Sequence, residues 1–410
     1  MGTTEDWRRQ HFDHLDPAMG EAEEFHDTLE YLRDNVGMVH SDQREGFWVA
    51  TRYEDVLRIA QDWESFSSEH GITVPSRSTP LPAIPEQVDP PLHREFKRLI
   101  NRYFTPAVVL EHEEATRTIV NRLIDGFIED GTCDFMTAFA QPLPGLVFFE
   151  EFLHAPSEEL NEINRLATIA STPTTEDAIQ ARREMIGWIF EFAKRRRAEE
   201  PRGDVVDAVL AAEIEGREIT DLEVVGVIQL LLFGGLDTTA GALGTMMTRL
   251  CEDPALADTL RDEPERIGDA VEEMLRLDGP FAFIGRCAMR DVEIDGVTIP
   301  EGDMVLLSWA SANRDGSEFG CPHQFDLDRE GNRHIAFGAG PHRCAGSNLA
   351  RMNLRISVEE LLRRLHDLRL TEPTIHFEPG YSRAPEAVPI AFTPGVREVA
   401  DEAAEPAPVD

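Results

Sequence analysis

Apolar residues occupy almost every position from Val224 to Gly235, whereas the chain from Thr105 to Arg217 shows the alternation of amphipathic helices. A helix that is apolar on every face belongs in a protein interior. Its start is marked by the capping-box pattern Thr220-Asp221-Leu222-Glu223 and its stop by Asp253-Pro254. About 30 residues at 1.5 Å each run roughly 45 Å, the width of a whole domain. Gln229 and Asp237 interrupt the apolar run, which argues against a membrane span.

Further helices are predicted around Asp55 to Gln61, from Asp89-Pro90-Pro91 onward, from Glu265 to Leu277, and after Cys344, where Leu349, Met352, Leu354, Ile356, Leu361 and Leu362 keep an approximately helical spacing. Strand patterns are short. Gly46 to Thr51 forms one, and Val292 to Pro300 with Met304 to Leu307 reads as a small hairpin sheet. Residues 1 to 45 read as short surface helices, and Ser65 to Gln87, rich in Ser and Pro, as a long irregular loop. The predicted class is mainly α with small β-sheets (α+β): one domain over 1–395 and an acidic, disordered tail over 396–410.

Charge and cysteine content narrow the partners. Against 39 basic residues stand 77 acidic ones, a formal charge of -38, which opposes nucleic acid and anionic membranes and leaves small neutral ligands. Five scattered cysteines make no disulfide scaffold, and the first residues lack the apolar core of a signal peptide, so a cytoplasmic monomer is expected.

Four local patterns carry chemistry. In Phe337-Gly-Ala-Gly-Pro-His-Arg-Cys344-Ala-Gly346, a turn preset by glycines and proline delivers a cysteine to a helix N-terminus. Unpaired N–H groups there favour an anion and lower a thiol pKa, so Cys344 is expected as a thiolate: a nucleophile, a zinc ligand or a haem ligand. No second cysteine stands at zinc spacing. In Gly234-Gly235-Leu236-Asp237-Thr238-Thr239, two mid-helix glycines cost on the order of 1 kcal/mol each, a sign that something approaches the backbone. Glu273 and Arg276, at i,i+3, read alone as an ordinary surface salt bridge, although their neighbours are apolar and a buried pair would demand further partners. His93 and Lys97 share one face of a helix flanked by Arg94 and Arg98, a cationic stripe that invites an anion.

Together these resemble the cytochrome P450 family: the haem signature FxxGxxxCxG at Phe337, Gly340, Cys344 and Gly346, the oxygen-activation motif from Gly234 to Thr239, and Glu-x-x-Arg at Glu273. The resemblance implies a triangular helical prism with the long helix over a haem b (iron protoporphyrin IX) whose iron Cys344 ligates. It further implies haem contacts at Phe337, Gly338, Gly234 and Gly235, and propionate contacts at His93, Lys97, Arg286 and His342. Thr238 would hydrogen-bond O2, directly or through water, and Asp237 would relay protons from solvent. Glu273 and Arg276 become scaffold residues completed by Arg314 or Arg329, and residues 158 to 197 a mobile lid.

A monooxygenase follows, with electrons from NAD(P)H arriving through a ferredoxin reductase and a ferredoxin. Arg329, Arg333, Arg343, Arg351 and Arg355, with Lys97, Arg98 and Arg102, would steer an acidic ferredoxin to the cysteine side. The expected substrate pocket, formed by the Ser65–Gln87 loop, Leu231, Gly234, Phe281, Phe283, Ile284 and Ser382 to Val388, is apolar and suits a terpenoid, steroid or branched lipid. The rival is a non-catalytic haem or ligand-binding protein, or a peroxide-using variant; neither needs the intact Asp237–Thr238 pair.

Overall fold

The computed structural model describes residues 11–75, 81–155 and 176–398, with 159, 160, 162, 163, 165, 166 and 169 between them. The predicted lid therefore lies partly outside the described residues, as do positions 76–80 of the Ser65–Gln87 loop and 399–410 of the acidic tail.

The apolar run forms the expected central helix, Asp221–Glu252. Its first turn is closed reciprocally: the Glu223 N–H donates to Thr220 Oγ1 (3.3 Å) and the Thr220 N–H to Glu223 Oε2 (2.8 Å). One stretch of it has a mean hydropathy of 1.5, enough by length and composition to cross a membrane. Here it is sheathed by protein, with Glu176–Ala198, Pro142–Val147, Ile267–Asp278 and Ser347–Arg364 packed around it. Two chain segments approach this helix at glycines. The Ile84 N–H donates to the Gly226 carbonyl (3.2 Å), and a Cβ on Gly226 would come 2.7 Å from the Pro82 carbonyl oxygen. A Cβ on Gly241 would meet Pro280 and Ala384 at 3.1 and 3.3 Å.

The sheets depart from expectation. Met304–Ser308 leaves the predicted hairpin and enters a five-stranded sheet, between Phe47–Ala50, which it pairs in parallel, and Phe283–Ala288; Met38–Ser41 and Phe66–Ser67 form the edges. Val292–Ile294 and Val297–Ile299 pair only with each other. Burial explains the choice, since Val305, Leu306 and Leu307 are completely buried and a two-stranded hairpin offers one covered face at most. The amino-terminal region is likewise more than surface decoration. Ala22–Asn35 is one helix, and its i, i+4, i+7 stripe of Phe25, Leu29 and Leu32 joins the core formed with Val39, Phe47 and Phe283.

Glu273 and Arg276 are buried and paired through two 2.8 Å hydrogen bonds. Arg329, not Arg314, completes the group, its Nε reaching both Glu273 oxygens at 3.0 and 3.1 Å. Arg276 also donates to the carbonyls of Asn313, Pro322 and Gln324, so one guanidinium holds the chain that leads into the cysteine loop. Arg314 is used elsewhere, on Asp278 at 2.7 Å.

Candidate active site

The cysteine loop is a hairpin-like turn closed on itself: the Cys344 N–H donates to the Phe337 carbonyl (2.8 Å) and the Arg343 N–H to the Gly340 carbonyl (3.2 Å). Gly338 and Gly340 both have φ near +70° (71° and 69°), and a Cβ on Gly340 would strike the Ala60 carbonyl. The helix begins at Ser347, three residues past the sulfur. Lys97 Nζ reaches across to the Arg343 carbonyl at 2.5 Å.

The expectation of a depressed thiol pKa is corrected. Burial pushes the Cys344 thiol up, and the Gly346 N–H, Lys97 and Arg351 only partly offset this. Yet Cys344 retains exposed surface. A thiol that is deep in the protein but still accessible faces a cavity, where a metal rather than the fold would deprotonate it.

The central helix opens onto space at its predicted motif. Gly234 is exposed although the helix around it is largely buried, and among the described residues nothing lies within 4 Å of a Cβ built on Gly234 or Gly235. Thr238 Oγ1 donates to the Gly234 carbonyl at 3.0 Å. Burial raises the Asp237 carboxyl, and no cation pairs with it among the described residues. Glu378, unmarked by the sequence motifs, has its carboxyl raised by burial and then by Asp237 and Glu386.

The four predicted cations converge. The His93 and His342 rings lie 4.3 Å apart, and Arg286 is buried with Nη2 3.5 Å from Glu86 Oε1. Among the described residues, both His93 ring nitrogens and His342 Nδ1 are buried without a hydrogen bond. Burial and then the neighbouring cations lower these imidazoles, to about 4 for His93 and about 2 for His342. Orphaned donors beside an arginine and a lysine suit an anion with several acceptor oxygens, and haem propionates fit that description. The open face at Gly234 and Gly235, the accessible Cys344 sulfur and this cluster thus fit a haem.

Not every expected residue lines that space. Phe283 is fully buried against Phe12, His14 and Phe25, because it stands on the sheet face opposite Ile284. Ile284 is itself buried, in a core with Val56, Ala60 and Trp309. Leu231 and Phe281 are half-buried, and Phe281 bridges to Ser382. The basic face is also thinner than predicted. Arg329 is bound to Glu273, Arg351 to Glu272 (2.5 Å), Arg355 to Glu113 (2.9 Å) and Arg333 to Glu318 (2.8 Å). Arg98, Arg102 and Arg343 remain exposed without an ion pair among the described residues.

Residues 148–378 match the family model "Cytochrome P450". A "Probable cytochrome P450 127A1" of Sinorhizobium fredii is 39% identical over 80% of this chain and 79% of its own length. A "Steroid C26-monooxygenase" of Mycolicibacterium smegmatis is 34% identical over 86% of this chain and 89% of its own. The solved structure of cytochrome P450 CYP109Q5 from Chondromyces apiculatus is similar with a TM-score of 0.85 at 29% identity, covering 95% of this chain and 99% of that one. The helical architecture, the cysteine loop and these likenesses agree, and the chain belongs to the cytochrome P450 family of monooxygenases.

Proposed function

We propose that this monooxygenase inserts one oxygen atom of O2 into a C–H bond of a hydrophobic substrate of terpenoid, steroid or branched-lipid type, with electrons passed from NAD(P)H by a ferredoxin. The observation that carries it is the convergence of the Cys344 loop with His93, Lys97, Arg286 and His342 around buried, unsatisfied donors. The haem, when bound, supplies the iron at which dioxygen is split, one atom going to the substrate and the other, with two protons and two electrons, to water. Cys344 is its thiolate ligand. Thr238 holds a hydrogen-bonded water beside the open stretch of helix, and Asp237, its carboxyl pushed up by burial, hands protons in from solvent.

A hydrophobic substrate is supported by the apolar character of Leu231 and Phe281 and by the likeness to a steroid C26-monooxygenase. The exposed cations Arg98, Arg102 and Arg343 support docking of an acidic ferredoxin on the cysteine side. Five free cysteines fit a cytoplasmic protein. The direct test is the carbon monoxide spectrum of the reduced, haem-loaded protein. A Soret band at the thiolate position is expected; a band at the histidine-ligated position would remove Cys344 as ligand.

A further inference from the structure

Glu86 brings a carboxylate into the cationic cluster that the family resemblance did not call for. It follows Ile84-Pro85, where the loop is pinned to the central helix at Gly226. Among the described residues its Oε1 is buried without a hydrogen bond, 3.5 Å from Arg286 Nη2, and its Oε2 lies 3.8 Å from His342 Nδ1. The first separation is too long for a strong hydrogen bond. The second carboxylate near the cluster, Asp89, is fully engaged: it accepts from Ser67 Oγ (2.5 Å), the Ser68 N–H (3.0 Å) and Ser68 Oγ (3.1 Å).

Counting charge exposes the difficulty. Arg286 and Lys97 are the cations, His93 and His342 pack ring against ring beside them, and Glu86 and Asp89 already bring two carboxyl groups to the two positive charges. Two propionates would add two more negative charges to one low-dielectric site, where like charges cannot all stay ionised. Both Asp89 oxygens are already occupied by its three donors. Protonating His93 and His342 would place two imidazoliums ring against ring between Lys97 and Arg286. Glu86 has the unsatisfied oxygen, and burial already pushes its carboxyl up, more strongly than Arg286 and Lys97 pull it down.

We propose that Glu86 is a positioning residue for the haem: as a neutral acid it donates a hydrogen bond to a propionate, and as a carboxylate it opposes that propionate for Arg286. This rests on the haem-thiolate reading. The consequence is a proton coupled to the electron. On one-electron reduction, with the electron from a chemical reductant or the redox partner, Glu86 takes up part of a proton from solvent, because an added negative charge disfavours its carboxylate. The midpoint potential of the haem therefore falls as pH rises through the titration of Glu86.

The experiment is a spectroelectrochemical titration of haem-loaded wild type, Glu86→Gln and Glu86→Asp from mildly acid to mildly alkaline pH, since burial raises this carboxyl above its ordinary range. Glutamine mimics the neutral acid. Its potential should be flat with pH and match the acid limb of wild type, so that at the alkaline end the ferrous-to-ferric ratio at fixed potential is higher on the order of tenfold, the effect of removing one nearby charge. Glu86→Asp should restore the slope. Equal slopes in wild type and Glu86→Gln overturn the proposal, as does loss of haem from Glu86→Gln, since the neutral form is the one that holds the propionate. The carbon monoxide band of the same samples separates the two readings: a missing thiolate band in wild type refutes the haem-thiolate assignment, whereas a retained band with equal slopes refutes only the role of Glu86.

Discussion

Thr238 donates its hydroxyl proton to the carbonyl of Gly234, 3.0 Å away and one turn earlier in the central helix. The same bond recurs at Thr245 to Gly241 and Thr248 to Gly244, each 3.0 Å. At those two turns the glycine is covered, by Pro280 and Ala384 in one case and by Met136 and Pro385 in the other. Only at Gly234 is the space open. The back-bond fixes the Thr238 hydroxyl and leaves its lone pairs to accept a hydrogen bond from a water on the open side.

Replacing Thr238 by alanine should therefore leave the fold and the consumption of reduced nicotinamide intact while product formation drops. The coupling ratio is expected to fall by about a hundredfold, the low end of the ~10²–10⁴ that a positioned proton-transfer group contributes. The missing electrons appear as hydrogen peroxide. Thr238→Ser should keep most of the coupling and Thr245→Ala all of it. Parallel assays of nicotinamide, peroxide and product decide the matter, and unchanged coupling in Thr238→Ala removes the residue from the mechanism.

Glu273→Gln should cost far more stability than activity per folded molecule. It leaves Arg276, which is completely buried, and Arg329 without their shared counter-charge. Breaking one side of a buried pair typically costs about 3–5 kcal/mol. Thermal melts should show a fall of several degrees and, because Arg276 holds the carbonyls of Asn313, Pro322 and Gln324, haem loss at lower temperature. A melt matching wild type would show that the backbone carbonyls alone satisfy the guanidinium.

Acid should loosen the cysteine loop through Glu272. Burial raises this carboxyl, but hydrogen bonds from Arg351 and His334 outweigh it and hold the pKa at about 2. Since the folded pKa lies below the unfolded one, the stabilisation is complete above roughly pH 4.5 and is lost as pH falls toward 2. Arg351 also covers the Phe337 ring at 4.4 Å, so the loss reaches the loop directly. Melting temperatures of wild type should decline across that window, and Glu272→Gln should be less stable at neutral pH with a shallower acid decline. Parallel curves for the two proteins would contradict this role.

What could be read in the chain was local. The capping box at Thr220, the turn around Cys344, the motif from Gly234 to Thr239 and the Glu273–Arg276 pair each lie within one element or turn, and neighbouring residues suffice to specify them. The choice between Arg314 and Arg329 lay beyond such reasoning, because both are near in sequence and only the path of the loop brings one guanidinium to Glu273 and the other to Asp278. Phe283 was misjudged as a pocket residue for a related reason: an apolar strand does not announce which core each of its faces will meet.

Sequence by itself thus determined the mainly helical class, the buried central helix and the residues of the cysteine loop, since these follow from periodicity and from turn chemistry over a few positions. Tertiary structure decided the rest. It drew Glu86 from an irregular loop into contact with Arg286, 200 residues away, and burial reversed the expected shift of the Cys344 thiol. Pairing also consumed most of the arginines that had read as a free basic face. Desolvation and charge pairing depend on what the whole fold places around a group, and no stretch of sequence carries that information alone.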